Sequence, residues 1–285
     1  MLSDSKKILS QAQSEGFAVG HFNTSDLEIT KAIILGAEKM KAPVIIGTSE
    51  KAISFAGFEE LAEIIKTSAE KAKIPIVLHL DHAKSFEICQ RAIQLGYTSV
   101  MIDGSALNFE ENVRLTKKVT QFAHRQQIPV EGELGALASK EKYQTDISQF
   151  FTDPDLAAKF VSETKIDSLA IAIGNAHGIP IPEEKLDFTR LAQIRDRVSL
   201  PLVLHGASST PAEDIKKAIS LGICKINIDT DLRIAYNLDL RQFLTAHPDV
   251  FDPREIMSSA IMAIKKVVMQ KIELFGSNNK AQISS

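Results

Sequence analysis

Short runs rich in valine and isoleucine recur along the chain, and each is followed by a stretch with helical spacing. The runs cover 17–22, 43–48, 75–80, 98–102, 128–133, 168–173, 201–205 and 223–228. Several are almost continuously apolar, as in strands buried on both faces. Amphipathic stretches lie between them, at 26–40, 58–71 and 110–126 among others. Pro43, Pro75, Pro129 and Pro201 stand at strand openings, where a missing N–H is tolerated and a preceding helix must end. Ser85, Asp153-Pro154 and Ser209-Thr210-Pro211 are placed to open helices. Eight β/α pairs without a composition break predict a single (β/α)8 (TIM) barrel over residues 1–285. A further helix at 254–275 lies beyond the eighth pair. The competing architecture is an open doubly wound sheet, but no GxGxxG follows the first strand. Two segments stand outside the alternation. The polar stretch 135–153 has the length of a lid, and 276–280 reads as a mobile tail.

Composition narrows the function classes. The net charge of −3 gives no general pull toward nucleic acid or anionic membrane. No run approaches the roughly 18 apolar residues of a membrane span. The first seven residues, Met1 to Lys7, lack the apolar core of a leader peptide. Cys89 and Cys224 form no motif and are expected to be reduced and buried, as in a cytoplasmic protein.

The candidate chemistry lies where strands end. His82, His177 and His205 follow the third, sixth and seventh predicted strands. In a parallel barrel these ends meet on one face, and three imidazoles there can hold a zinc ion with a coordination position left open. Asp81 adjoins the first histidine, and His79 is placed to support Asp81 or a ligand. Asp103 and Glu133 end two more strands; they suit either a second metal position or a salt bridge in the barrel mouth. Gly206-Ala207-Ser208 and Asn227-Ile228-Asp229-Thr230 follow strands seven and eight, the usual phosphate site of this fold.

These residues carry a resemblance that runs through nearly the whole chain. Gly20-His21-Phe22-Asn23, Leu78-His79-Leu80-Asp81-His82, Met101-Ile102-Asp103-Gly104-Ser105, Glu131-Gly132-Glu133-Leu134-Gly135, Gly174-Asn175-Ala176-His177-Gly178, Leu204-His205-Gly206-Ala207-Ser208, Lys225-Ile226-Asn227-Ile228-Asp229-Thr230 and Asp252-Pro253-Arg254 resemble the motifs of class II, zinc-dependent ketose-bisphosphate aldolases. The resemblance implies reversible cleavage of fructose 1,6-bisphosphate to dihydroxyacetone phosphate and glyceraldehyde 3-phosphate, with tagatose 1,6-bisphosphate as the alternative substrate. It implies zinc on His82, His177 and His205, with Asp103 and Glu133 tied to an alternative divalent-metal position. Asp81 would handle the proton on the C4 oxygen. Gly178, Gly206, Ala207, Ser208, Asn227, Ile228, Asp229 and Thr230 would hold the dihydroxyacetone phosphate end, with a monovalent-cation site near Gly178. Asn23 and Ser49 match substrate-contacting positions. Arg254 matches an arginine for the second phosphate, often supplied across a subunit interface, so a homodimer or homotetramer is expected.

The lid departs from the family pattern. Where the family carries Gly-Gly before an acidic run, this chain has Ala138-Ser139, and the position of the proton-abstracting glutamate falls on Glu141, between Lys140 and Lys142. Two other classes compete with an aldolase. A metal-dependent barrel hydrolase would usually place a His-x-His pair after strand one, where this chain has His21-Phe22-Asn23. A non-catalytic metal-binding partner subunit would not need Asp81.

Overall fold

The computed structural model describes residues 1–135, 150–175, 185–208 and 210–281. Eight strands form a closed barrel in chain order: β1 (Val19–Asn23), β2 (Val44–Ser49), β3 (Ile76–Ala83), β4 (Ser99–Ile102), β5 (Val130–Leu134), β6 (Ser168–Ile171), β7 (Leu202–Leu204) and β8 (Ile223–Ile228). All pairings are parallel, and β8 closes on β1 with Val19 opposite Lys225 and His21 opposite Asn227. Closure excludes the open doubly wound sheet. The strand-opening prolines sit as the pattern predicts. Pro75, Pro129 and Pro201 give no N–H, yet their carbonyls accept from Val44, Val100 and Leu169 on the neighbouring strands.

The helices are α1 (Ser5–Glu15), α2 (Leu27–Met40), α3 (Glu50–Ala56), α4 (Phe58–Lys71), α5 (Phe86–Gln94), α6 (Phe109–His124), α7 (Pro154–Thr164), α8 (Phe188–Arg197), α9 (Ala212–Ser220), α10 (Thr230–Ala246) and α11 (Pro253–Leu274). Side-chain caps start many of them: Asp26 accepts from Ile29 N–H, Ser85 from Ile88 N–H and Asn108 from Glu111 N–H. Pro154 and Pro253 occupy first-turn positions, where a missing N–H is harmless. The main core lies between the barrel and the helices. A second cluster seals the N-terminal end of the barrel. There α1 lays Ile8, Leu9 and Ala12 against Val19, Ile45, Val77 and Cys224. Both cysteines are free and buried.

The segment expected to be a mobile tail is docked instead. Gly276 turns the chain at φ +71°, and Ser277 is fully buried. The N–H groups of Asn279 and Ala281 then donate to the carbonyls of Met40 and Lys41 at the end of α2. Those carbonyls have no partner within their own helix, so the polar segment binds where the helix terminus needs donors. Among the described residues no helix is long and apolar enough to cross a membrane.

Candidate active site

Strand alternation sends Val77, His79 and Asp81 of β3 to the barrel interior, while Leu78 and Leu80 join the outer core. His82 would then face outward. It does not, because the β3–β4 register shifts between Leu80 and Ala83 and His82 adopts φ +52°. A non-glycine residue in that region persists only where its surroundings hold it. The bulge turns two consecutive side chains, Asp81 and His82, into one pocket at the C-terminal mouth. That pocket has a volume of about 970 Å³. Asn23, Ser49, Asp103, Glu133, His205, Gly206, Ser208, Asn227, Asp229 and Thr230 also line it, as the sequence placed them.

His82 Nε2 lies 2.8 Å from His205 Nδ1. The far nitrogen of each ring is held by a carboxylate. His82 Nδ1 lies 2.8 Å from Asp103 Oδ2, and His205 Nε2 lies 2.8 Å from Glu131 Oε1. Each carboxylate carries a lysine. Lys84 Nζ donates to Asp103 Oδ2, and Lys225 Nζ reaches Glu131 Oε2 at 2.8 Å and Oε1 at 3.1 Å. Asp81 accepts from Asn23 Nδ2 at 2.9 Å and from Asn227 Nδ2 at 3.2 Å. Glu133 lies 3.5 Å from His82 Nδ1. The oxygens of Asp103 and Glu133 lie within 4.8 Å of a His82 nitrogen and of each other.

Burial and charge oppose each other throughout the site. Burial disfavours ionised Asp81, but the neighbouring His82, His21, His205 and Lys225 outweigh it and hold the carboxyl well below the usual range. Burial also opposes charge on His82, yet Asp81, Asp103 and Glu133 raise it to about 9. His205 goes the other way: burial and the positive charge of His82 lower it, against the bond to Glu131. Burial pushes Glu133 up to about 8, against the pull of His82.

The donor set suits a divalent metal ion. Two imidazole nitrogens face each other at 2.8 Å with a carboxylate, Asp81, beside them, and all three donor atoms lie within 4.8 Å of one another. Two lone pairs cannot face each other at that distance, so one hydrogen lies between the nitrogens, and a metal ion held there would displace it.

The other expected residues stand as follows. His79 gives its Nδ1 to Ser99 Oγ at 2.8 Å; with His21 it lies near Asp81, without a hydrogen bond to it. The side chains of Ala207 and Ile228 join the outer core, so only their backbone can serve the pocket. Ser49 lines the pocket while capping α3 through Ala52 N–H. Arg254 lies in the first turn of α11, 89% exposed and paired with Asp252, and does not line the pocket. His177, Gly178 and Glu141 lie outside the described residues. The sequence reading passed over Glu131, Lys225, Lys84, Lys51 and Arg233. Glu131 and Lys225 were findable: each stands two residues before a recognised position, Glu133 or Asn227, and so shares its strand face.

A family model described as "Fructose-bisphosphate aldolase class-II" matches residues 3–280. The fructose-bisphosphate aldolase of Geobacillus stearothermophilus is 43% identical over 279 residues, 97% of each chain. That of Thermus caldophilus is 42% identical over 306 residues, covering 99% of this chain and 100% of its own. The crystal structure of the YdjI aldolase from Escherichia coli K12 superposes with a TM-score of 0.88 at 39% identity, covering 99% of this chain and 100% of that one.

Proposed function

Because this chain belongs to the class II fructose-bisphosphate aldolase family, we propose that it catalyses the reversible cleavage of fructose 1,6-bisphosphate into dihydroxyacetone phosphate and glyceraldehyde 3-phosphate, as a single zinc-dependent domain. The observation that carries this reading is the convergence of Asp81, His82 and His205 in one pocket with the loops after β7 and β8. His82 and His205 would hold the zinc ion, with His177 as the third ligand. When bound there, zinc supplies a Lewis acid for the substrate ketone.

The chain's own residues supply the rest. Backbone N–H groups at Gly206 and Ser208, which line the pocket, and those opening α10 at Thr230 would bind the phosphate. Small residues let it approach. Asp81 is ionised and is held by Asn23 and Asn227. It takes the C4 hydroxyl proton as the C3–C4 bond breaks and the aldehyde leaves. The electron pair remains on C3 of dihydroxyacetone phosphate, and Glu141 returns a proton there. Synthesis runs the same steps in reverse. Arg254, exposed and away from its own pocket, would read the second phosphate in the pocket of another copy of the chain.

A coupled assay of triose-phosphate release tests the whole reading. Chelation is expected to abolish release and zinc to restore it; full activity in metal-free protein would sink it. Arg254→Ala is expected to raise KM for the bisphosphate far more than for fructose 1-phosphate. An equal rise for both substrates would remove Arg254 from the phosphate.

A further inference from the structure

We propose that Glu131, backed by Lys225, is a positioning residue that fixes His205 as the tautomer with its proton on Nε2 and its Nδ1 lone pair toward the pocket. The inference rests on the reading of His205 as a metal ligand only for its consequence, not for the tautomer itself.

The hydrogen-bond inventory around Glu131 is closed. Oε1 lies 2.8 Å from His205 Nε2 and accepts from Lys225 Nζ at 3.1 Å. Oε2 accepts from Lys225 Nζ at 2.8 Å and from Ser168 Oγ at 3.5 Å. An ionised carboxylate only accepts, so the facing imidazole nitrogen must bear the hydrogen. Lys225 keeps the carboxylate ionised. Its ammonium lies 2.8 Å from one oxygen and 3.1 Å from the other, so a positive charge faces the whole carboxylate. A neutral imidazole protonated on Nε2 has its lone pair on Nδ1. Asn227 Nδ2, 3.2 Å from Nδ1, can only donate to it, and with the lone pair on Nδ1 the hydrogen shared with His82 Nε2, 2.8 Å away, belongs to His82. A neutral ring with that lone pair forward is the form in which histidine binds a metal.

The arrangement is not explained as filler. Glu131 and Lys225 are 2% and 1% exposed, and they come from β5 and β8, which are not neighbours in the barrel, 94 residues apart. Apolar side chains of similar volume commonly replace such a buried pair without loss of stability. An ion pair placed directly behind a pocket histidine does something that apolar packing would not: it discriminates between two nitrogens of one ring.

The experiment uses the full chain with ¹⁵N-labelled histidine. Imidazole ¹⁵N shifts of metal-free wild type assign the His205 tautomer, and competition with a chromophoric chelator gives the zinc affinity. Wild type is expected to show the Nε2–H form. The double variant Glu131→Leu/Lys225→Met leaves no unpaired charge. It is expected to stay folded, to lose the tautomer preference, and to bind zinc about 10–100-fold more weakly. Glu131→Gln/Lys225→Met retains a carbonyl acceptor of the same shape and is expected to recover both. An Nδ1–H tautomer in wild type overturns the proposal without any variant. Unchanged tautomer and zinc affinity in the Leu/Met double variant also overturn it, as does a Gln/Met variant no better than the apolar one. A wild type that shows the expected tautomer but binds no zinc would sink the metal reading and leave the positioning role standing.

Discussion

His82 and His205 are held by the same device in two different media. Behind His205 the lysine and carboxylate are 1% and 2% exposed, enclosed by the barrel wall. Behind His82 the carboxylate of Asp103 is 4% exposed, but the lysine, Lys84, is 57% exposed on the rim. Asp103 also accepts from Ser105 N–H and Oγ, so its charge does not depend on Lys84 alone. Glu131 receives its positive charge from Lys225. The difference shows that burial, more than the identity of the pair, sets how much each partner matters. Inside the barrel a missing partner leaves a charge with no water; at the rim, water and other donors take its place.

Asp81 stands between the two clamps and belongs to neither, which makes it the sharpest way to separate chemistry from metal holding. Asp81→Asn is expected to lower kcat by about 10²–10⁴-fold. Zinc content, measured by mass spectrometry of the metal, should stay at the wild-type level. Parallel loss of zinc and activity would show that Asp81 is a structural member of the site.

Breaking the enclosed clamp on one side only is the next largest effect. Lys225→Met leaves Glu131 charged and unpaired, and the expected loss is about 3–5 kcal/mol in a urea or guanidinium titration. A loss under about 1 kcal/mol would mean that water reaches Glu131 and that the two clamps differ less than their burial indicates.

Acid and alkali should then act on opposite partners in the metal-free protein. His79 lies beside the enclosed clamp, and burial together with Lys225 lowers it to about 3. Its unfolded form takes up a proton below about 6.5, so the stability it contributes is present above that pH and is lost as pH falls toward 3. The expected loss is roughly 2 kcal/mol between pH 6.5 and 5. His82 has the reverse sign. Raised to about 9, it contributes fully below about 6.5, and that contribution is lost as pH rises through 9. Thermal unfolding across pH 5 to 9 checks both: His79→Gln should flatten the acid limb and His82→Ala the alkaline limb. A single variant flattening both would contradict the division.

The rim clamp should give the smallest effect. Lys84→Ala is expected to change stability by under about 1 kcal/mol, with the difference shrinking as salt is added. Zinc affinity should fall by less than in the Glu131→Leu/Lys225→Met double variant. An equal or larger fall, by the same chelator competition, would reverse the ranking of the two clamps.

What the sequence by itself determined follows from local periodicity. Apolar runs bounded by proline, alternating with capped helical stretches, were enough for eight β/α pairs and a closed barrel. Strand ends then led to Asp81, His82 and His205, and the short polar loops after β7 and β8 to Gly206, Ser208, Asn227 and Thr230. The spacing of Ile8, Leu9 and Ala12 also carried α1, though a reading confined to leader signals passes over it. Other features depend on partners that no local pattern names. His82 faces the pocket only because β3 is bulged against β4. The segment 276–281 is ordered because the end of α2 offers it unpaired carbonyls. Glu131 and Lys225 meet because closure sets the depth of β5 and β8 inside one barrel, although each alone reads as a polar interruption in an apolar strand. Alternation tells which face a residue takes; only the register of the closed sheet decides which residue lies opposite, and in a low-dielectric interior that decides whether a charge is stabilised or excluded.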